Sequence, residues 1–212
     1  MLFRSSPEKF WNLIAKKYAA SPIADIEAYQ RKIEKLKSHL SPEDYVLDIG
    51  CGTGTQCDDL ANNVKHVTGI DISSKLLSIA EMRKVEREIK NVEFVQATVF
   101  DARFDSDSFN VVMAFYVLHF YEDIDEVARR IYDMLKPNGL FVLETACLGD
   151  KNIIIGKLIR LAGKLGFLPL INLLSIQQIE QALEQTGFSV VENIKFSEPN
   201  DEYTLIAKKP KC

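Results

Sequence analysis

An acidic residue followed by alternating glycines marks the segment of this sequence that could do chemistry. Asp48 lies near the end of a short apolar run, and Gly50, Gly52 and Gly54 follow it. Glycines let a backbone approach a ligand closely, and the helix that follows offers unpaired N–H groups at its start. A second acidic residue, Asp71, comes 21 residues after Gly50, a distance that suits hydrogen bonding to a ribose diol. These residues predict a site for a nucleotide-like ligand.

The spacing of the glycines distinguishes between two such ligands. A dinucleotide-binding turn has the pattern GxGxxG, whereas the pattern here is GxGxG, with Gly54 four residues after Gly50. A pyrophosphate gains nothing from the neighbouring carboxylate of Asp48, but an ammonium or sulfonium group does. The segment therefore favours S-adenosylmethionine over NAD, and a glycine-rich turn that binds no ligand is the remaining alternative.

The sequence around these residues alternates short apolar runs with amphipathic stretches. Continuous apolar strands that alternate with helices are typical of a parallel sheet covered on both faces. The predicted strands are Tyr45–Ile49, His66–Ile70, Val92–Gln96, Phe109–Ala114 and Leu140–Glu144, and helices are predicted around 56–63, 74–88 and 123–135.

Two helices are predicted before the first strand. Ser6-Pro7 and Ser21-Pro22 each place a serine N-cap before a proline, which is a helix-start pattern. Apolar residues then recur at intervals of three and four until the break at Ser41-Pro42.

The end of the chain predicts a helix and an antiparallel hairpin. Ser175 and Gln178 have capping-box spacing, and Gly187 ends the helix that they open. The strand-like runs Phe188–Phe196 and Tyr203–Ala207 are only six residues apart. A parallel crossover needs about a dozen residues, so these two strands are expected to pair antiparallel.

Four motifs occur in a recognisable order: D-I-G-C-G-T-G at 48–54, G-I-D-I-S at 69–73, F-N-V-V at 109–112 and L-K-P-N-G at 135–139. Together they resemble the class I S-adenosylmethionine-dependent methyltransferases of the small, single-domain kind, over about residues 40–208. The resemblance implies a Rossmann-like, doubly wound α/β fold whose seven-stranded sheet has the order 3-2-1-4-5-7-6, with strand 7 antiparallel. It divides a single domain into a helical cap (1–40), a cofactor-binding core (41–145), a substrate lid (150–174) and a C-terminal helix and hairpin (175–208).

The resemblance implies S-adenosylmethionine as the cofactor and a set of residues that contact it. That set is Tyr18, Asp48, Gly50, Cys51, Gly52, Gly54, Asp71, Ile72, Thr98, Val99 and Phe115. Thr98 stands where the family often has an acidic residue that accepts a hydrogen bond from adenine, and Asp101 is the alternative candidate. The implied reaction is an in-line displacement at the sulfonium methyl group by an O, N, C or S nucleophile, and it requires no metal.

The same resemblance places Tyr116 and His119 beside the transferred methyl group, as candidate catalytic residues. Because imidazole titrates near neutral pH, His119 could act as a base or as an orienting donor. The alternative is a loop histidine that packs on the cofactor without proton transfer, and the same alternatives apply to Tyr116. Trp11 is expected to pack the N-terminal helices onto the sheet, and Tyr18 to close over the methionine end of the cofactor.

Residues 152–174 leave three interpretations open. Lys157, Arg160 and Lys164 recur at intervals of three and four among apolar residues, so a helix here would carry one cationic stripe. That pattern fits a lid over an apolar acceptor, plain packing, or a helix that lies on an anionic membrane. A lid is the preferred interpretation, because three glycines in the segment favour movement.

Composition limits the classes of partner. The chain has 26 basic and 30 acidic residues, a net charge of −4, and no basic block, which argues against a nucleic-acid partner. The four cysteines form no CxxC pair and the three histidines are far apart, which argues against a metal site. A start without a signal-peptide pattern and the absence of a long apolar run favour a cytoplasmic location.

The expected protein is a monomeric or homodimeric methyltransferase for a small, partly apolar acceptor. Methylation of protein or RNA, and a non-catalytic S-adenosylmethionine-binding module, are the alternatives.

Overall fold

A seven-stranded sheet forms the centre of the protein in the computed structural model, which describes residues 6–146, 161–163, 168–196 and 202–211. The strands are β1 (Tyr45–Ile49), β2 (His66–Asp71), β3 (Val92–Gln96), β4 (Phe109–Phe115), β5 (Leu135–Ala146), β6 (Ser189–Ile194) and β7 (Glu202–Lys208). Their order in the sheet is β3-β2-β1-β4-β5-β7-β6. The first five strands are parallel, and β7 runs antiparallel between β5 and β6. The predicted fold, strand order and final hairpin are therefore confirmed.

The helices of the described residues lie close to the predicted stretches. They are α1 (Pro7–Ala20), α2 (Ile26–Lys37), α3 (Thr55–Leu60), α4 (Ser74–Glu86), α5 (Ile124–Met134) and α6 (Ile176–Thr186). The start of α6 is the complete capping box between Ser175 and Gln178, and Gly187 ends the helix with a φ of 101°. Both ends of α6 are thus fixed by local chemistry that the sequence shows directly.

The prediction that the second helix starts at Ser21-Pro22 is wrong. Its N-cap is Asp25, whose carboxylate accepts a hydrogen bond from the Ala28 amide at 2.8 Å. Ser21 instead closes the end of α1, because its hydroxyl donates to the Lys17 carbonyl at 3.0 Å. A serine before a proline can cap the start of the following helix or form a hydrogen bond at the end of the preceding one. Ser21 does the second.

Apolar side chains cover both faces of the sheet. Along β1, Val46 belongs to a buried cluster with residues of α2, α3 and α4, whereas Leu47 belongs to a cluster with residues of α5 and α6. Successive side chains of a strand point to opposite faces, so the continuous apolar run of β1 serves two cores. Both core layers are therefore built from sequence-local patterns.

The carboxyl ends of the parallel strands meet at one edge of the sheet. Gly50 follows β1, Asp71 ends β2, and Phe115 ends β4. Helix α1 lies against this edge, because the Asn12 side-chain oxygen accepts hydrogen bonds from the Ser73 hydroxyl at 2.8 Å and from the Lys75 amide at 3.1 Å. Ligands of open α/β sheets bind in the crevice outside this edge.

Candidate active site

A cavity of about 1120 Å³ opens at the carboxyl edge of the sheet. Most of the residues that the sequence predicted for the site line it: Tyr18, Asp48, Gly50, Cys51, Gly52, Asp71, Ile72, Thr98, Phe115, Tyr116 and His119. Gly54 and Val99 are not in its wall. Gly54 is the N-cap residue of α3, and Val99 is fully buried in the hydrophobic core.

The three glycines of the loop after β1 have different neighbours. All have positive φ values, 71° at Gly50, 55° at Gly52 and 74° at Gly54. A Cβ at Gly50 would lie 2.6 Å from the Val117 side chain, and one at Gly54 would lie 2.5 Å from the Phe94 ring. At Gly52 the nearest atom, in the Tyr18 ring, would be 3.6 Å away. The outer glycines therefore allow close packing of the protein, and Gly52 keeps space open on the cavity side.

Asp71 holds the glycine loop to the start of α4. One carboxylate oxygen accepts a hydrogen bond from the Gly52 amide at 3.0 Å, and the other accepts one from the Ser73 amide at 2.8 Å. Burial raises the pKa of Asp71, and these amide donors partly offset the rise. Each carboxylate oxygen keeps a second acceptor site, so the side chain can also accept hydrogen bonds from ligand hydroxyl groups in the cavity.

Asp48 is a fully buried acid that forms no ion pair with a lysine or arginine of the described residues. The Cys57 thiol donates a hydrogen bond to its carboxylate at 3.2 Å. Burial raises the pKa of Asp48 to about 7, and the nearby negative charge of Asp71 adds to the rise. Among the described residues, no lysine or arginine forms an ion pair with Asp48 or Asp71. The Lys32 ammonium lowers the pKa of Asp48 through space, as the smallest of the influences on it, and forms its own ion pair with Glu144. Two acids in one low-dielectric site that have no ion-pair partner fit a positively charged ligand.

Aromatic side chains form another part of the cavity wall. The Trp11 ring packs edge-on against Tyr18 and Phe120, with centroids 5.9 and 5.7 Å apart, and all three residues line the cavity. The sequence predicted that Trp11 packs the N-terminal helices onto the sheet. In the structure Trp11 lines the cavity and contacts Phe120 in the turn after β4, and the packing role stays a prediction. Helical spacing cannot separate these two roles, because both require Trp11 on the inner side of α1.

Tyr116 enters the cavity wall through an unusual backbone conformation. Its φ is 53°, a value that costs a residue with a side chain of the order of 1–3 kcal/mol and that clusters at functional sites. The Tyr116 amide donates a hydrogen bond to the Glu144 carbonyl at 2.8 Å, which holds this turn against the end of β5.

A buried ion pair beside Tyr116 was missed by sequence reasoning. Lys32 of α2 and Glu144 of β5 pair while only 5 % and 4 % exposed, and the Lys32 ammonium lies 4.9 Å from the centroid of the Phe115 ring. The pattern did contain a sign of it, because Lys32 stands three residues after Tyr29 on the apolar side of α2. The pair connects the N-terminal helices to the strand ends that form the site.

His119 lies on a 3-10 turn, Leu118–Phe120, just after β4. Its ring lines the cavity, and its centroid is 4.1 Å from that of Phe120. Burial lowers the pKa of His119 to about 4, so the imidazole is neutral at neutral pH. A histidine with this pKa is a weak base, but it can still form hydrogen bonds.

Of the two candidates for the adenine contact, Thr98 and Asp101, the structure brings only Thr98 into the cavity wall. Asp101 turns away and accepts hydrogen bonds from the Arg103 guanidinium, which helps lower the pKa of Asp101 to about 2. Its carboxylate is therefore engaged elsewhere.

Comparison with known proteins adds the family. A model of the methyltransferase domain family matches residues 23–193, which is most of the chain. The chain belongs to the methyltransferase domain family. The methyltransferase family predicted from the motifs is therefore confirmed, and solved structures share its Rossmann-like fold.

Individual relatives match parts of this methyltransferase. The demethylmenaquinone methyltransferase of Lactococcus lactis subsp. lactis (strain IL1403) is 37 % identical over 105 residues, which cover 48 % of the chain and 42 % of that protein. The structure of the YcgJ protein of Bacillus subtilis has a TM-score of 0.73 at 16 % identity, covering 86 % of this chain and all of that one. The [4+2]-cyclase SpnF has a TM-score of 0.78 at 17 % identity, covering 97 % and 95 %.

These likenesses differ in what they establish. The chain spans less than half of the length of the first curated relatives that it matches. SpnF is described as a cyclase, so structural likeness at this level of identity shows the fold alone. The match to the family model shows the family, and the cavity is the part of the structure that selects the acceptor.

The segment predicted as a lid is only partly described. Gly163 and the residues from Leu168 to Asn172 line the cavity, whereas Lys157, Arg160 and Lys164 lie outside the described residues. Within the described part of the chain, no helix is long and apolar enough to cross a membrane. The same part contains no cluster of three or more histidine, cysteine, aspartate or glutamate residues that could hold a metal ion.

Proposed function

We propose that this methyltransferase transfers a methyl group from S-adenosylmethionine to a small, partly apolar acceptor bound in the cavity at the sheet edge. The observation that carries the proposal is a cavity that combines two acids, Asp48 and Asp71, with an aromatic and aliphatic wall. Neither acid forms an ion pair with a lysine or arginine of the described residues. S-adenosylmethionine matches the acidic part, because it carries an ammonium group, a sulfonium group and a ribose diol.

Each part of the cofactor has residues suited to hold it. Asp71 would accept hydrogen bonds from the ribose hydroxyls, and Asp48 would attract the ammonium group across the space left open at Gly52. Thr98 would offer its hydroxyl to the adenine, and Tyr18 would cover the methionine end. The contacts of Val99 and Gly54 with the cofactor stay predictions, since neither residue is in the cavity wall.

The remaining wall describes the acceptor. Trp11, Phe120, Leu168, Pro169 and Leu170 line it with apolar surface, which suits an acceptor with a hydrophobic body. The last three belong to the segment predicted as a lid, and we propose that this segment covers the acceptor. The demethylmenaquinone methyltransferase relative is consistent with a small-molecule acceptor.

The methyltransferase contributes mainly alignment and exclusion of water. Bound S-adenosylmethionine supplies a methyl group that its sulfonium charge has already activated. The chain's own residues then have to hold the acceptor in line with that methyl group, and good alignment is worth about 7–11 kcal/mol of the barrier. The strained turn at Tyr116, held by the Glu144 carbonyl, is suited to fix side chains at this point.

Calorimetry with the full chain tests the cofactor. We expect S-adenosylhomocysteine and S-adenosylmethionine to bind at micromolar concentrations and NAD far more weakly. Asp71→Asn should weaken binding of S-adenosylhomocysteine about ten- to a hundredfold, because a charge-assisted hydrogen bond is worth about 1.5–3 kcal/mol. Asp105→Asn removes an exposed acid outside the cavity and serves as the matched control. Tight NAD binding without a response to the other two compounds would refute the proposal.

Transfer of a radioactive methyl group tests the acceptor. A panel of phenols, quinols, amines and thiols is compared with a protein extract and an RNA extract. Labelling of a small molecule supports the proposal, and labelling confined to protein or RNA contradicts it. Tight cofactor binding without transfer to any acceptor would favour a non-catalytic binding module.

A further inference from the structure

The surroundings of His119 determine how this residue can act on the methyl acceptor, and the inference rests on the proposed function. The His119 carbonyl accepts a hydrogen bond from the Asn172 amide at 2.7 Å. The Asn172 side chain donates to the carbonyls of Tyr121 and Glu122. The ring of Phe120, tilted by 50° to the imidazole, packs against it, so the turn that carries the imidazole is held on both sides.

The two ring nitrogens have different environments. Nδ1 of His119 is buried and has no hydrogen-bond partner among the described residues. The ring nevertheless lines the cavity. Nε2 is therefore the nitrogen that a bound molecule can reach.

The imidazole is also uncharged at neutral pH. Burial lowers the pKa of His119 to about 4, and no charged side chain of the described residues contributes to the shift. A neutral imidazole carries one N–H and one lone pair, so the position of the single proton decides what the cavity-facing nitrogen can do.

The burial of Nδ1 decides that position. A proton on Nδ1 would leave a buried N–H without an acceptor, and buried N–H groups without a partner are rarer in proteins than incompletely satisfied acceptors. A proton on Nε2 leaves only a lone pair in the buried position and directs the N–H into the cavity.

We infer that His119 is a hydrogen-bond donor, not a base, and that its Nε2–H binds an oxygen of the methyl acceptor. The acceptor class that follows is a molecule with a carbonyl, phenolate or enolate oxygen at or beside the atom that is methylated. A neutral acceptor gives up its O–H or neighbouring C–H proton to solvent, not to His119, when this oxygen becomes an anion. That anion is the nucleophile whose new bond to the methyl group would replace the bond between the methyl carbon and the sulfonium sulfur. A neutral imidazole in this role polarises the oxygen and stabilises negative charge on it.

The tautomer can be measured without an acceptor. In ¹⁵N-histidine-labelled protein saturated with S-adenosylhomocysteine, long-range ¹H–¹⁵N spectra separate the two neutral tautomers from the imidazolium. The His119 signals are identified by their loss in His119→Gln, or by elimination with His39→Gln and His66→Gln if that variant does not fold. We expect a neutral ring with its proton on Nε2 from pH 5.5 to 8, and either a proton on Nδ1 or an imidazolium in this range would overturn the inference. Lack of S-adenosylhomocysteine binding would refute the proposed function instead, and the tautomer would then be read in the free protein.

Variants test the contact with the acceptor, using whichever small molecule the methyl-transfer panel labels. The amide nitrogen of glutamine can occupy the place of Nε2, whereas that of asparagine reaches only the place of Nδ1. We expect His119→Gln to keep kcat within about tenfold and His119→Asn to lose about 10²–10³-fold, the usual effect of removing one such donor. Equal losses in both variants, or better retention in His119→Asn, would overturn the inference.

Discussion

The buried charge of Asp48 should make cofactor binding depend on pH. Its carboxylate accepts a hydrogen bond from Cys57, and burial raises its pKa to about 7 in the free protein. The ammonium group of the ligand favours the ionised carboxylate, so the pKa falls in the complex. Affinity is therefore complete above about pH 7 and is lost as the pH falls below it, because the proton of Asp48 must then be expelled.

The size of the effect follows from the ionised fraction of Asp48. With a pKa of about 7, that fraction is about three quarters at pH 7.5 and about one tenth at pH 6. The Kd for S-adenosylhomocysteine should rise about eightfold between these two pH values, equivalent to about 1.2 kcal/mol. Titration calorimetry at pH 6 in buffers with different heats of ionisation should show release of close to one proton for each ligand bound.

Two variants show whether Asp48 is the responsible group. Asp48→Asn should bind more weakly at pH 7.5 and show little change of Kd with pH. Cys57→Ala removes the thiol donor that lowers the pKa of Asp48, so its binding profile should shift to higher pH. A constant Kd with no proton release in the unchanged protein, or the same slope in Asp48→Asn, would refute the reasoning.

Two further predictions concern stability. Gly54→Ala should lower the free energy of unfolding by about 1–3 kcal/mol in thermal denaturation, because its Cβ would overlap the Phe94 ring at a positive φ. Gly52→Ala has room for its Cβ, so its free energy of unfolding should stay closer to that of the unchanged protein. It should nevertheless bind S-adenosylhomocysteine at least about tenfold more weakly. Equal losses of stability in the two variants would contradict the different roles assigned to Gly52 and Gly54. Lys32→Met should cost about 3–5 kcal/mol in urea denaturation, because it leaves Glu144 buried without a cation. Most of that loss should be recovered in Lys32→Met/Glu144→Leu, and an equal loss in both variants would show that the buried charge is not the cause.

The sequence predicted the fold well because the elements are encoded locally. The bounds of β1 and β3 are those expected from their apolar runs, and the short link between the last two strands already required an antiparallel pair. The main local error, the start of α2, arose where one serine could serve either of two helix ends. Local patterns offer such choices, and only the contacts of the folded chain decide among them.

The candidate site divides in the same way between sequence and structure. The sequence predicts the glycine loop and Asp71 as parts of the site. Both depend only on residue type and spacing, since glycine gives the backbone its freedom and a carboxylate at a strand end needs only its position in the chain. The different roles of Gly52 and Gly54 depend on neighbours from other elements, Tyr18 and Phe94, which no local pattern contains.

Charge and protonation were decided by the tertiary structure alone. The pairing of Lys32 with Glu144 joins residues 112 positions apart, and the sequence of neither segment indicates the other. The sequence left three roles open for His119, a base, a hydrogen-bond donor or a histidine that only packs on the cofactor, and burial of its ring lowers its pKa to about 4. The sequence by itself thus determined which residues reach the strand ends, since strand and turn patterns are local. Their ionisation and partners depend on desolvation, which exists only once the distant segments have packed around them.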